Sequence, residues 1–238
     1  MTGRTILATC TGWTDTGAGL GLSAVQRYAL DLTGVTGRAV RVAYVNTAGG
    51  DQLADEEREQ AAARKTGIDA MHVRLFGRTV VDLDEALSDR DLIWVGGGSV
   101  ANLLSVWRRH GLDRVLTAAW ERGVVLAGTS AGAICWHLGG PTSSFGQLAM
   151  ETDALGLIPG SLGVHYDSQP GRRPLLHDAV ARGILPDGFG LDEGTAVRYD
   201  GTRPVEFLSE SPEGSVHRVS PTDDGVIEER MPPRLLRG

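Results

Sequence analysis

Short continuous apolar runs recur through the first two-thirds of the chain, and between them apolar residues return at helical spacing. The runs predict strands over 5–9, 40–45, 70–76, 92–95 and 124–127. The intervening stretches predict helices over 23–32, 55–66, 82–87 and 100–122. Asp51-Gln52-Leu53-Ala54-Asp55 can cap the second helix at its start, and Gly67 can close it. Alternation of this kind implies an α/β fold: a mostly parallel sheet with helices on both faces. Beyond 127 the rhythm changes. A helix is expected over 131–138, loops over 139–146 and 158–163, a helix over 175–182, and short strands joined by turns from 190 to 228. Pro232-Pro233-Arg234 begins a tail expected to fray. With no internal repeat and no linker, the 238 residues read as a single domain, 1–238.

Two of the apolar runs end in glycine. Val124-Val125-Leu126-Ala127 leads into Gly128-Thr129-Ser130-Ala131-Gly132-Ala133, which places Ser130 on a tight turn between a strand and a helix. Such a turn strains its central residue and requires small neighbours, here Gly128, Ala131 and Gly132. The serine would stand at the carboxyl edge of the sheet, a nucleophile elbow, where free helix N–H groups and the helix dipole favour a developing anion. Leu92-Ile93-Trp94-Val95 ends likewise in Gly96-Gly97-Gly98-Ser99. Ligands bind at that edge of open α/β sheets, and a glycine run lets backbone N–H groups approach a reacting carbonyl. A plain turn, or a phosphate cradle, is the competing reading of either cluster. Neither the Gly-Lys-Ser/Thr ending of a phosphate-binding loop nor spaced dinucleotide glycines are present.

Charge and composition narrow the partners. The net charge is −7, with acidic and basic residues interspersed, which disfavours nucleic acid and a membrane surface. Only one lysine, Lys65, occurs among 23 basic residues, a compositional bias without functional content. Cys10 and Cys135 are the only cysteines, both in apolar or small-residue contexts, and read as reduced buried thiols of a cytoplasmic protein. Met1-Thr2-Gly3-Arg4 runs straight into a strand without a signal-peptide core, and no run of 18 apolar residues occurs, so neither export nor a membrane span is indicated. No His/Cys/Asp/Glu cluster has ligand spacing, so no metal or cofactor is implied. A homodimer is left open, since nothing in the pattern fixes the oligomeric state.

A serine nucleophile requires a base. His72, His110, His177 and His217 fit structural or surface roles, and His137 lies on the predicted helix about 10 Å along its axis from Ser130. His165, in Gly163-Val164-His165-Tyr166-Asp167, follows a Pro-Gly loop that can return over the sheet edge and bring the imidazole to Ser130.

Together, Gly96-Gly97-Gly98-Ser99, Gly128-Thr129-Ser130-Ala131-Gly132-Ala133 and Asp153-Ala154-Leu155-Gly156-Leu157-Ile158-Pro159 leading into His165-Tyr166-Asp167 resemble the peptidase E family, the S51 serine peptidases that include cyanophycinase. The resemblance runs in order from the first strand to about Val197. It implies a class I glutamine-amidotransferase-like fold, a flavodoxin-like three-layer sandwich, with Ser130 as nucleophile and His165 as general base. It further implies Gly98 and Ala131 as oxyanion-hole N–H donors, and hydrolysis of small peptides with an N-terminal aspartyl residue. Related readings are hydrolysis of a cyanophycin-type β-aspartyl-arginine peptide, or a catalytically weak binding homologue.

The chain departs from the family pattern at the third triad member and at the substrate side chain. Where the family carries an aspartate between elbow and histidine, this chain has Ser143 in Thr142-Ser143-Ser144. A hydroxyl can bond an imidazole but cannot stabilise imidazolium as a carboxylate does. Glu193, at the end of a short strand among small residues, is the preferred substitute, ahead of Asp167 and Asp192. Ser99 replaces the asparagine expected after the triple glycine. Ala179 falls where the substrate-binding arginine is expected, which leaves Arg172 and Arg173 as candidates to hold a carboxylate.

Overall fold

Alternation along the apolar runs decides the architecture. In the computed structural model, which describes residues 3–15 and 20–237, the main sheet has eight strands. Met1, Thr2 and Gly238, on which the readings of the N-terminus and the tail partly rest, lie outside those residues. Across the sheet the order is β16 (Arg234–Leu235), β13 (Arg203–Ser209), β12 (Thr195–Asp200), β1 (Thr5–Cys10), β7 (Val125–Thr129), β6 (Leu92–Val95), β4 (Arg41–Val45) and β5 (Asp69–Val73). The five strands from β1 to β5 in that order are parallel, and β12 joins β1 antiparallel. Side chains alternate between the two faces, so each face gathers its own core. Ile6, Ala8, Val45, Ile93, Val95 and Leu126 belong to one, and Leu7, Val42, Tyr44, Leu92, Trp94 and Ala127 to the other.

Helices cover both faces. α4 (Val100–His110) and α5 (Leu112–Glu121) bury Leu103, Trp107, Leu112 and Leu116 in the first core. α1 (Ala24–Asp31) buries Val25 and Ala29 in the second; α2 (Leu53–Thr66) lies on the same side, its Glu59 paired with His72, which stacks on Tyr44. α3 (Leu83–Leu87) is capped by Asp82. No helix among the described residues is long and apolar enough to cross a membrane.

A second sheet, β10 (Ser161–Val164), β11 (Gly188–Leu191), β14 (Val216–Thr222) and β15 (Gly225–Met231), packs Leu162, Val164, Phe189 and Leu191 into the first core. α7 (Arg172–Ala181) covers its other side with Leu176 and Val180. Two hairpins complete the chain: β2 (Thr14–Asp15) with β3 (Leu20–Gly21), and β8 (Gly140–Thr142) with β9 (Ala149–Glu151).

Several expectations require correction. The single helix over 100–122 is two, because Gly111 adopts φ 76° and ends α4, a conformation open to glycine without a Cβ penalty. The helix over 131–138 is one turn, α6 (Ala131–Ile134). Both expected loops contain strands, β8 and β10, whose glycines masked the pattern: a Cβ at Gly140 would meet the Leu162 carbonyl at 1.8 Å. The tail does not simply fray, since Arg234–Leu235 pairs with β13. Asp51 does not cap α2; its carboxylate accepts the N–H groups of Leu75 and Phe76, whereas Gly67 closes the helix as expected.

Candidate active site

Three strand ends converge at the carboxyl edge of the main sheet. β7 delivers Ser130, whose φ of 55° and ψ of −114° are strained for a residue with a side chain. The turn closes because its flanks are glycine. A Cβ on Gly128 would lie 2.2 Å from the Gly132 carbonyl oxygen, and one on Gly132 would lie 2.3 Å from that of Val95. Ser130 N–H donates to Thr9 of β1, and its carbonyl receives Ala133 and Ile134 N–H. One helical turn carries little macrodipole, so the dipole expected from a longer helix is not available.

β10 and β11 run parallel with Val164 opposite Leu191, so the chain leaves both at the same level. His165 follows β10 and Glu193 follows β11. That shared exit accounts for their meeting across 28 residues of sequence. His165 also has a positive φ, 55°, and its backbone N–H donates to Cys10 Sγ at 3.2 Å. Its Nε2 lies 2.8 Å from Ser130 Oγ, and its Nδ1 lies 2.5 Å from Glu193 Oε1. A carboxylate only accepts, so Nδ1 carries the proton and Nε2 is left to accept from the serine hydroxyl. Burial pushes the Glu193 carboxyl up, but hydrogen bonds from His165, Ser168 and Cys10, with the imidazole charge, outweigh it and hold the group below its ordinary range.

Beside Ser130 opens a cavity of about 180 Å³ lined by Gly98, Ser99, Ala131, Ile134, Thr142, Ser143, Ser144 and Arg172. Gly98 must be glycine, because its φ is 139° and a Cβ would fall 2.2 Å from the Ala48 carbonyl oxygen. Ser99 Oγ accepts Asn102 N–H as the cap of α4, so its side chain has a local task at the rim. Arg172 is 5% exposed, buried although it is a full charge. Its Nη1 donates to the Pro141 carbonyl and its Nε to Gln169, and Nη2 faces Ser143 Oγ at 3.5 Å. Burial lowers its affinity for the proton, partly offset by the nearby Cys10 and Glu193. A larger cavity of about 390 Å³ sits between Phe189, Tyr199, Phe207 and Met231. His137 and Ser161 reach it, but Ser130, His165 and Glu193 do not, so it lies apart from their hydrogen-bonded chain.

The remaining candidates separate. Ser143 does not reach His165; it belongs to the cavity wall beside Arg172. Arg173, expected as a carboxylate binder, instead stacks over the Tyr166 ring at 4.7 Å and pairs with Glu228. Asp167 accepts Glu193 N–H, and Asp192 faces His217 at 3.3 Å, so neither aspartate is the partner of His165. His177 pairs with Glu228 and His72 with Glu59; His217, expected at the surface, is largely buried between Asp192 and Glu228. His137 is fully buried, donating from Nδ1 to the Ala133 carbonyl and accepting the Tyr199 hydroxyl. Two contributors escape sequence reasoning. Cys10 touches both His165 and Glu193, and Ser168 donates to Glu193. The available signal for Cys10 was its place as the last residue of β1, at the same sheet edge as Ser130.

Comparison with known proteins places the chain in a family. Residues 19–206 match the model of peptidase family S51. An uncharacterized peptidase, YgaJ, of Bacillus subtilis strain 168 is 34% identical over 196 residues, 82% of this chain and 85% of that protein. Peptidase E of Streptomyces coelicolor is 32% identical over 192 residues, 75% of this chain and 76% of that protein. The crystal structure of a peptidase from an acI-B1 actinobacterium superposes with a TM-score of 0.68 over 96% of this chain and 94% of that one, at 19% identity, a likeness of fold.

Proposed function

The chain belongs to peptidase family S51, and on that premise we propose that it is a serine dipeptidase acting through an acyl-enzyme on Ser130. The observation that carries this reading is the unbroken relay from Ser130 Oγ through His165 to Glu193, with contacts of 2.8 and 2.5 Å. The strained backbone of Ser130, with φ 55° and ψ −114°, supports its reading as a nucleophile elbow. As Oγ attacks the scissile carbonyl, its proton passes to His165 Nε2, and the imidazolium is stabilised by the Glu193 carboxylate. The oxyanion is received by the N–H groups of Gly98 and Ala131, which line the cavity together with the serine. His165 then gives the proton to the departing amine, and a water, deprotonated by the same nitrogen, releases the acid and restores the serine.

The substrate is a dipeptide with an N-terminal aspartyl residue. Among the described residues Arg172 is the only charged one lining the cavity and no carboxylate lines it, which suits a small anionic side chain held by a guanidinium fork. The same feature counts against a β-aspartyl-arginine substrate, whose guanidinium would meet like charge. Free, buried Cys10 and Cys135 fit a reducing cytoplasm.

Hydrolysis of Asp-Xaa dipeptides, β-Asp-Arg and neutral dipeptides by one preparation tests the reading, alongside labelling by a fluorophosphonate probe. Asp-Xaa is expected to be cleaved best, with labelling and turnover both lost in Ser130→Ala. Labelling that survives in Ser130→Ala would refute the nucleophile, and equal rates on neutral and aspartyl dipeptides would refute the specificity.

A further inference from the structure

Cys10 lies outside the hydrolytic relay yet touches two of its members. Its Sγ is 3.6 Å from His165 Nδ1 and 3.4 Å from Glu193 Oε2. Among the described residues this is the one group of three or more His, Cys, Asp or Glu ligand atoms lying within 4.8 Å of one another. Tetrahedral zinc has bonds of about 2.3 Å to thiolate and about 2.0–2.1 Å to imidazole or carboxylate, so its sulfur-to-nitrogen and sulfur-to-oxygen edges are about 3.5–3.6 Å. Two edges of the cluster already have that length. The carboxylate meets Nδ1 through its other oxygen, Oε1, at 2.5 Å, so a single carboxylate oxygen serves zinc once this 47% exposed side chain turns to set Oε2 about 3.3 Å from Nδ1 in place of that hydrogen bond.

We propose that Cys10, His165 and Glu193 form an inhibitory site for Zn²⁺, with solvent as the fourth ligand. The inhibitory consequence rests on the serine-hydrolase reading; the binding does not. Thiolate and imidazole together select zinc over magnesium or calcium, which prefer oxygen ligands. Coordination releases the Cys10 thiol proton to solvent, and the thiolate and carboxylate together balance the ion's two charges. The decisive change is at the imidazole. Neutral imidazole has one lone-pair nitrogen, and once Nδ1 gives that pair to zinc its proton must reside on Nε2. His165 then donates to Ser130 and has nothing left with which to take its proton. The ion also removes Glu193 from the relay. The binding and catalytic arrangements share the same atoms and exclude each other.

Isothermal titration of EDTA-treated protein with zinc chloride tests binding in wild type and in Ser130→Ala, which keeps all three ligands. One equivalent should bind to both, with no uptake of magnesium, and Cys10→Ala should weaken zinc affinity by roughly 100-fold or more. Cobalt chloride should give a near-ultraviolet thiolate-to-cobalt charge-transfer band. That band should persist in Cys135→Ala, which removes the only other thiol, so the assignment stands even if Cys10→Ala does not fold. In wild type, zinc should suppress fluorophosphonate labelling of Ser130 at the concentration that saturates binding. In Cys10→Ala, labelling measured against its own metal-free rate should be insensitive to that concentration. Absence of the cobalt band, or zinc affinity unchanged in Cys10→Ala, would overturn the site. Stoichiometric zinc binding with undiminished labelling would overturn the inhibition. Failure to find a cleavable dipeptide would refute only the proposed substrate, because titration and labelling do not depend on it.

Discussion

Replacing Glu193 by glutamine isolates the charge of the third relay member. The amide can turn its oxygen to His165 Nδ1–H and its nitrogen to Cys10 Sγ, a weak acceptor 3.4 Å from the present Oε2. Orientation and tautomer of the imidazole are thereby preserved, and only the stabilisation of imidazolium is lost. Two unit charges about 4 Å apart at an effective dielectric near 20 attract by about 4 kcal/mol. Glu193 is about half exposed, and solvent screening reduces this to about 2–3 kcal/mol. At 1.36 kcal/mol per tenfold, kcat should fall roughly 30- to 150-fold, with KM little changed. The loss is smaller than the roughly 10⁴-fold known for a triad carboxylate in a buried setting. Glu193→Ala, which also frees the ring, should fall further, and the gap between the two variants measures orientation. Steady-state rates on one Asp-Xaa dipeptide, with circular dichroism to check the fold, supply the comparison. A Glu193→Gln enzyme within threefold of wild type would show that the carboxylate carries no catalytic charge.

Arg172→Lys keeps the charge but loses the fork and the bonds to Pro141 and Gln169, so KM for aspartyl dipeptides should rise about 10- to 100-fold while neutral dipeptides are unaffected; equal change on both would refute a specificity role. Gly132→Ala places a Cβ against the Val95 carbonyl and should destabilise the protein by about 1–3 kcal/mol, lowering Tm by roughly 2–12 °C in a thermal melt. Burial pushes His137 down to about 4, so the unfolded chain takes up the proton first as pH falls from the ordinary value of 6.5. Stability is therefore full at neutral pH and about 2 kcal/mol smaller near pH 5, a loss that urea melts should find absent in His137→Gln.

The parallel half of the main sheet was legible because strands buried on both faces read as continuous apolar runs, and the helices between them kept their period. Past Ser130 the signal fails for a physical reason. β8 and β10 need glycines for close approach, of the Leu162 backbone at Gly140 and of the Tyr166 and Leu176 side chains at Gly163, and those glycines dilute the apolar pattern into that of a loop. The break at Gly111 was readable in principle, since glycine followed by Leu-Asp is a stop and a restart. In the site, Ser130 and His165 announce themselves through local context, and Glu193 through its place at the end of a short strand among small residues. Cys10 announces its sheet edge but not its partners. Its partners lie 155 and 183 residues away, and only the order of strands in the two sheets brings those ends together.

Ser143 gains its meaning from that same geometry. An aspartate there would be expected to orient the histidine, but the hydroxyl faces Arg172 instead, and His165 already has its carboxylate in Glu193. A carboxylate at 143 would add a charge beside a guanidinium that now has only neutral hydrogen-bond partners, among them Pro141, Gln169 and Ser143. It would occupy the cation that an aspartyl substrate requires and repel that substrate's side chain. Serine at 143 thus keeps Arg172 available, and Ser143→Asp should not accelerate hydrolysis. It should raise KM for aspartyl dipeptides by roughly 10- to 150-fold, the worth of one or two charge-assisted hydrogen bonds at about 1.5–3 kcal/mol, with kcat at saturation nearly unchanged. A rise in kcat in this variant, accompanied by indifference to Glu193→Gln, would place the working carboxylate at the other end of the cavity and refute the relay described here.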